Sequence, residues 1–82
     1  MIEDIRRLLD EHGRLPVPAS SLAGEQDLYA AGLTSFAAVQ LMLGIEDAFN
    51  IEFPERMLNR RSFQSIRAIN DCLMELVPEK TA

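Results

Sequence analysis

Apolar residues along this chain recur at helical spacing in three places, with stretches between them where the pattern lapses. Ile2, Ile5, Leu8, Leu9 and His12 predict a first helix over 2–12, ended at Gly13, a residue type favoured at helix stops. From 14 to 34 no period is sustained. Pro16, Pro18 and Ala19-Ser20-Ser21 interrupt it, and Leu15, Val17, Leu22, Leu28 and Leu33 stand as isolated anchors. A connection that long in a compact domain is packed by its own side chains or is functional. The helical pattern resumes at about Ser35 and holds to about Asn50, predicting helix two. Pro54 then suits the start of a short helix near 55–59. A last helix is expected after Ser62, a good N-cap, with Phe63, Ile66, Ile69, Leu73 and Leu76 on one stripe until Pro78. Residues 79–82 read as a frayed tail. No segment alternates with period two over enough residues for a strand. The expectation is one all-α domain over 1–82, a small four-helix bundle of three longer helices and one short helix.

Helix two carries two apolar faces. At about 100° per residue, Ala38, Leu41, Met42, Ile45 and Phe49 share an arc of roughly 100° and form a core face. Phe36, Val39 and Leu43 share a second arc of about 60°, centred roughly 140° away, flanked by Gln40, Glu46 and Asp47. A bundle this small cannot easily bury both. The second stripe either touches the next helix or the long loop, or is a partner-binding strip with an acidic rim, which apolar patches bordered by polar residues tend to mark.

Composition narrows the function classes. Eighty-two residues bury only about 60% of the surface of the unfolded chain, leaving little room for a deep catalytic cleft. The net charge of −5 argues against nucleic acid and anionic membranes, which reward clustered Lys and Arg. Cys72 is the single cysteine, so no internal disulfide or cysteine-based zinc site can form, and a reducing, cytoplasmic setting follows. Cys72 reads as a small packed side chain at the margin of the last helix's stripe. His12 alone reads as a helix-end residue, not a metal ligand. No Asp-x-Asp-x-Asp-Gly calcium loop occurs. Acids at the start of the chain and the lack of a long apolar run give no signal peptide and no membrane span.

The most distinctive chemistry sits at the loop–helix junction, Gly32-Leu33-Thr34-Ser35-Phe36. Gly32 can adopt angles closed to other residues, and Thr34 can cap the first turn, leaving the Ser35 hydroxyl exposed beside it. A serine nucleophile needs a base, yet the one histidine is in helix one, and the second glycine and the strand of a nucleophile elbow are absent. Catalysis by this chain itself is therefore disfavoured, and an unmodified cap-region serine remains the simpler alternative.

The junction resembles the attachment motif of the acyl carrier protein family, a Gly-x-Asp-Ser-Leu segment whose serine carries 4′-phosphopantetheine. Thr34 stands for the usual Asp and Phe36 for the usual Leu. The likeness continues without a gap to Pro54, through Ile45-Glu46-Asp47-Ala48-Phe49-Asn50-Ile51-Glu52-Phe53-Pro54, similar to the family's Leu-Glu-Glu-x-Phe-x-x-x-Ile-Pro pattern. The Gly-Leu-Thr-Ser form with Met57-Leu58-Asn59-Arg60-Arg61 resembles stand-alone carriers served by separate aminoacyl-carrier ligases, and Met1 just before helix one fits a stand-alone chain.

That resemblance implies a non-catalytic monomer that holds an acyl or aminoacyl thioester on a phosphopantetheine arm at Ser35, with a transient shelter for the cargo between helices two and three. The implied partners are a phosphopantetheinyl transferase, which supplies base and metal, an acyl- or aminoacyl-carrier ligase, and a downstream acyl-transfer enzyme. Phe36, Val39, Gln40, Leu43, Glu46 and Asp47 would face these partners. Arg60 and Arg61 read either as solvated surface or as partner or phosphate contacts. Ala37, Gln40 and Ala48 are neutral where fatty-acid carriers tend to be acidic, and Arg56, Arg60 and Arg61 are basic, so partner choice should differ. The cargo is not legible, although the resemblance favours an amino acid. The rival reading is an unmodified helical adaptor that binds one protein through Phe36, Val39 and Leu43.

Overall fold

The computed structural model describes residues 1–77. Three α-helices, α1 (Ile2–His12), α2 (Ser35–Phe49) and α3 (Ile66–Leu76), are joined by segments holding 3-10 turns at Ala19–Ser21, Glu55–Met57 and Arg60–Phe63. The described residues form no strand. Where a single short helix was expected near 55–59, two 3-10 turns follow one another.

Helix α1 buries Ile5, Leu8 and Leu9, and Glu3 and Asp4 in its first turn complement the positive end of the helix dipole. It stops at Gly13, but not by a left-handed glycine: Gly13 keeps a helical φ of −77°, and the positive φ of 55° falls on Arg14. Glycine is needed at 13 for contact instead, since a Cβ there would lie 2.7 Å from the Leu9 carbonyl oxygen and from Leu9 Cδ1. Helix α2 crosses α1 closely where Gly44 meets the His12 ring, with room for no Cβ beyond 2.6 Å from that ring. Asn50, left-handed at φ 55°, ends α2.

The 14–34 connection is fastened at both ends of its path. Arg6 donates to the carbonyls of Ala19 and Leu22, and Asp10 accepts from the Ala19 N–H at 2.8 Å. Farther on, Leu28 N–H donates to the Gln64 carbonyl at 2.7 Å and Arg67 N–H to the Gly24 carbonyl at 2.8 Å. Leu22, Leu28 and Leu33 are buried as expected and Leu15 is half-buried. Val17 is not an anchor: it is exposed, between two prolines, and the buried residue of that stretch is Ala19.

The start of α3 also departs from the sequence reading. Ser62 is not its N-cap. Asn59 caps a 3-10 turn by accepting from the Ser62 N–H at 3.0 Å, and that turn, not α3, carries the buried Phe63. Ser65 caps α3, its hydroxyl accepting from the Ala68 N–H at 3.0 Å. The apolar spacing from 63 to 66 is shared by a 3-10 turn and an α-helix, so periodicity alone could not place the boundary. Ile66, Ile69 and Leu73 face the core. Pro78 as a helix stop and the frayed tail 79–82 lie outside the described residues.

Candidate functional site

Ser35 is the first residue of α2, and the geometry around it is set by its neighbours. Gly32 takes φ 125°, which side-chain-bearing residues avoid, and a Cβ there would lie 2.9 Å from Pro16 Cδ. Leu33 N–H closes the turn onto the Leu28 carbonyl at 2.9 Å, and Leu33 is buried. Thr34 is the N-cap: its hydroxyl accepts from the Ala37 N–H at 3.0 Å. Because Thr34 does the capping, the Ser35 hydroxyl is left free of that task on an exposed first turn.

Ser35 also lines an open cavity of about 350 Å³ between α2 and the segment that carries the 3-10 turns. Ala38, Val39 and Met42 form the α2 wall, Leu58, Asn59 and Phe63 the opposite one, and Tyr29 and Arg60 the rim. Phe63 is fixed from behind by edge-on packing against Phe53, ring centroids 5.3 Å apart. The Arg60 guanidinium lies over the Tyr29 ring, 3.9 Å from its centroid. Partial burial pushes the Tyr29 phenol up from its ordinary value; Arg60 pulls it down, and Asp27 adds a smaller push upward. Asp27 is held as a turn cap, accepting from the N–H groups of Tyr29 at 2.9 Å and Ala30 at 3.3 Å.

The second apolar stripe of α2 stays exposed: Phe36 is 65% accessible and Val39 and Leu43 each 49%. Leu58, also exposed, extends it across the cavity mouth. Of the flanking polar residues, Asp47 is exposed and Gln40 half-buried. Glu46 is not a free rim acid, because its carboxylate turns inward to accept from the Phe53 N–H at 2.9 Å. Ala37 is 1% accessible, so it belongs to the core and its neutrality says nothing about a docking surface. Met42, assigned to the core face, is half-buried at the cavity wall.

Arg60 and Arg61, adjacent in sequence, have different surroundings: Arg60 shares the cavity with Ser35, and Arg61 does not line it. The residue that sequence reasoning missed is Tyr29. It stands in the quoted Asp27-to-Ser35 run, but nothing in that run indicates an arginine thirty-one positions away. Among the described residues, no group of three or more His, Cys, Asp or Glu is arranged to hold a metal ion. No described helix is long and apolar enough to cross a membrane.

The family model "Phosphopantetheine attachment site" matches residues 5–73. The chain is 58% identical over 78 residues to the aminoacyl carrier protein of Agrobacterium fabrum, covering 95% of this chain and 94% of that one. It is similar to a chain in the crystal structure of an engineered Bradyrhizobium japonicum glycine:carrier protein ligase complexed with carrier protein from Agrobacterium tumefaciens and AMP. That likeness has a TM-score of 0.88 and 59% identity, over 90% of this chain and 99% of that chain. A more distant likeness, TM-score 0.74 at 25% identity over 87% of this chain and 95% of the other, is to a chain in the Bradyrhizobium japonicum ligase structure with glycylated carrier protein.

Proposed function

From the premise that this chain belongs to the phosphopantetheine-bearing carrier proteins, and among them to the aminoacyl carrier proteins, we propose that Ser35 bears the arm and that glycine is its cargo. The protein holds its cargo on covalent 4′-phosphopantetheine and presents it to partner enzymes. One observation carries the choice of Ser35: Thr34 caps α2, so the next hydroxyl is free and exposed at the lip of a cavity. When attached, the arm supplies a terminal thiol that holds an aminoacyl group as a thioester.

The protein's own residues position and do not catalyse. His12 packs on Gly44, roughly 13 Å along the α2 axis from Ser35 by the helical rise, so it cannot take the serine proton. That proton goes to a base on the phosphopantetheinyl transferase. The chain is on this reading not an enzyme, a monomeric cytoplasmic domain spanning 1–82, in which the paired 3-10 turns take the place of the short fourth helix. A glycine:carrier protein ligase and a downstream acyl-transfer enzyme complete the partners. Phe36, Val39, Leu43 and Asp47 form the face they meet, and the segment with Arg56, Arg60 and Arg61 sets it apart from uniformly acidic carriers.

The glycylated carrier of the Bradyrhizobium japonicum ligase structure supports the cargo assignment, and the Agrobacterium tumefaciens carrier's complex with an engineered glycine:carrier protein ligase supports the choice of ligase class. The test is to mix the phosphopantetheine-bearing protein with ATP and either glycine plus a glycine:carrier protein ligase, or a fatty acid plus a generic fatty acyl-carrier ligase. Intact mass should rise by one glycyl group in the first mixture and stay constant in the second. Efficient fatty acylation without glycylation would overturn the assignment.

A further inference from the structure

The rim of the cavity beside Ser35 carries a cation that no acid in the described structure neutralises. Arginine ion pairs among the described residues are made by Arg7, Arg56 and Arg67, and Arg6 is engaged by backbone carbonyls. Arg60 is in none of them. The acid that faces Tyr29, Asp27, is occupied by the N–H groups of Tyr29 and Ala30 and by Gln64 at 3.5 Å. The first turn of α2 has no acid, and Thr34 brings none.

An exposed arginine ordinarily spreads over many rotamers. Here the Tyr29 ring, 3.9 Å from the guanidinium, holds one face of its planar fork. Stacking uses that face and leaves the N–H edges for an acceptor in the guanidinium plane. A phosphodiester, with one negative charge shared by two free oxygens, matches such a fork. Ser35 lines the same cavity as Arg60 and Tyr29, so a phosphodiester on its oxygen shares that cavity with the guanidinium.

We propose that Arg60, stacked on Tyr29, is a positioning residue that receives the phosphodiester of the arm on Ser35 and directs the arm across the cavity between α2 and the 3-10 turns. This rests on the reading that Ser35 is the modified residue. Arg61, of the same charge but outside the cavity, serves as the control.

Phosphorus-31 NMR of the phosphopantetheine-bearing protein tests it, because a purely structural arginine would not alter the motion of that nucleus. In low salt the wild-type line should be broad, reflecting an arm root held on the protein. In Arg60→Gln it should narrow toward that of a free phosphodiester, while Arg61→Gln keeps the wild-type width. About 1 M salt, which shortens electrostatic reach to roughly 3 Å, should narrow the wild-type line and leave Arg60→Gln unchanged. Arg60→Lys retains a cation without the planar stack and should fall between, and helical circular dichroism verifies that each variant is folded. Equal line widths in wild type and Arg60→Gln, or equal narrowing in Arg61→Gln, would overturn the proposal alone. Absence of the phosphopantetheinyl mass would overturn the carrier reading together with it.

Discussion

At the scale of single residues, Thr34 and Ser35 divide two tasks that one hydroxyl could not perform at once. Thr34 caps the helix, which leaves the Ser35 hydroxyl free of that task, as the proposed modification requires. Thr34→Ala should destabilise the fold by about 1 kcal/mol through loss of the cap, measured by urea unfolding, while modification at Ser35 persists. Tyr29 offers a second residue-level test, since it is the one tyrosine in a chain without tryptophan and its ionisation can be followed by absorbance alone. Its phenol is raised above the ordinary 10.0 mainly by burial, with Arg60 opposing. Below pH 10 the phenol is protonated in both the folded and unfolded chain, and its contribution to stability is complete. As pH rises further the unfolded chain ionises first, so that contribution is lost through the folded midpoint. The absorbance midpoint should lie above 10 in the native protein, drop on unfolding, and move higher still in Arg60→Gln. A native midpoint that Arg60→Gln leaves unchanged or lowers would contradict the Arg60–Tyr29 arrangement.

Among the elements, α2 carries the exposed apolar stripe proposed to meet partners, and the loop before it sets where α2 begins. Gly32→Ala forces a side chain onto φ 125° and against Pro16, and should cost about 1–3 kcal/mol, seen as a lower urea midpoint. Leu43→Asp acts on the exposed stripe away from the cavity. It should change stability by no more than about 0.5 kcal/mol and weaken charging by the ligase, read as a higher KM for the carrier. Strong destabilisation would show that the stripe is core. The bounds of α1 and the start of α2 were legible because each has a local signal, an apolar stripe closed by Gly13 and a Thr34 cap. The start of α3 was not: Ser62 reads as a cap in sequence, but it lies inside the Asn59-capped turn Arg60–Phe63, and Ser65 caps α3 instead. Ala37 was misplaced for a different reason: alanine is too small to mark a face, although the 37–41–45 row that contains it was there to be read.

For the molecule as a whole, the attachment motif and its distance from Pro54 made the family legible, but the shelter expected between helices two and three is instead a cavity lined by α2, Tyr29 and the 58–63 segment, with no residue of α3. Its walls come from three segments distant in sequence, and its rim depends on Tyr29 meeting Arg60. Tertiary contacts of that kind leave no periodic trace. Likewise, the acidic rim implied by the helical wheel lost Glu46 to the Phe53 N–H, a fold-level hydrogen bond that no wheel displays. The charge pattern that remains, net −5 with an exposed basic segment after Pro54, should make enzymes of acidic fatty-acid carriers poor partners.

The central claim is that Ser35 accepts phosphopantetheine, and intact mass spectrometry after incubation with coenzyme A and a broad-specificity phosphopantetheinyl transferase tests it most directly. The wild-type chain should gain one phosphopantetheinyl unit and Ser35→Ala none. A wild-type mass unchanged with several transferases, or a gain that survives Ser35→Ala, would contradict the account.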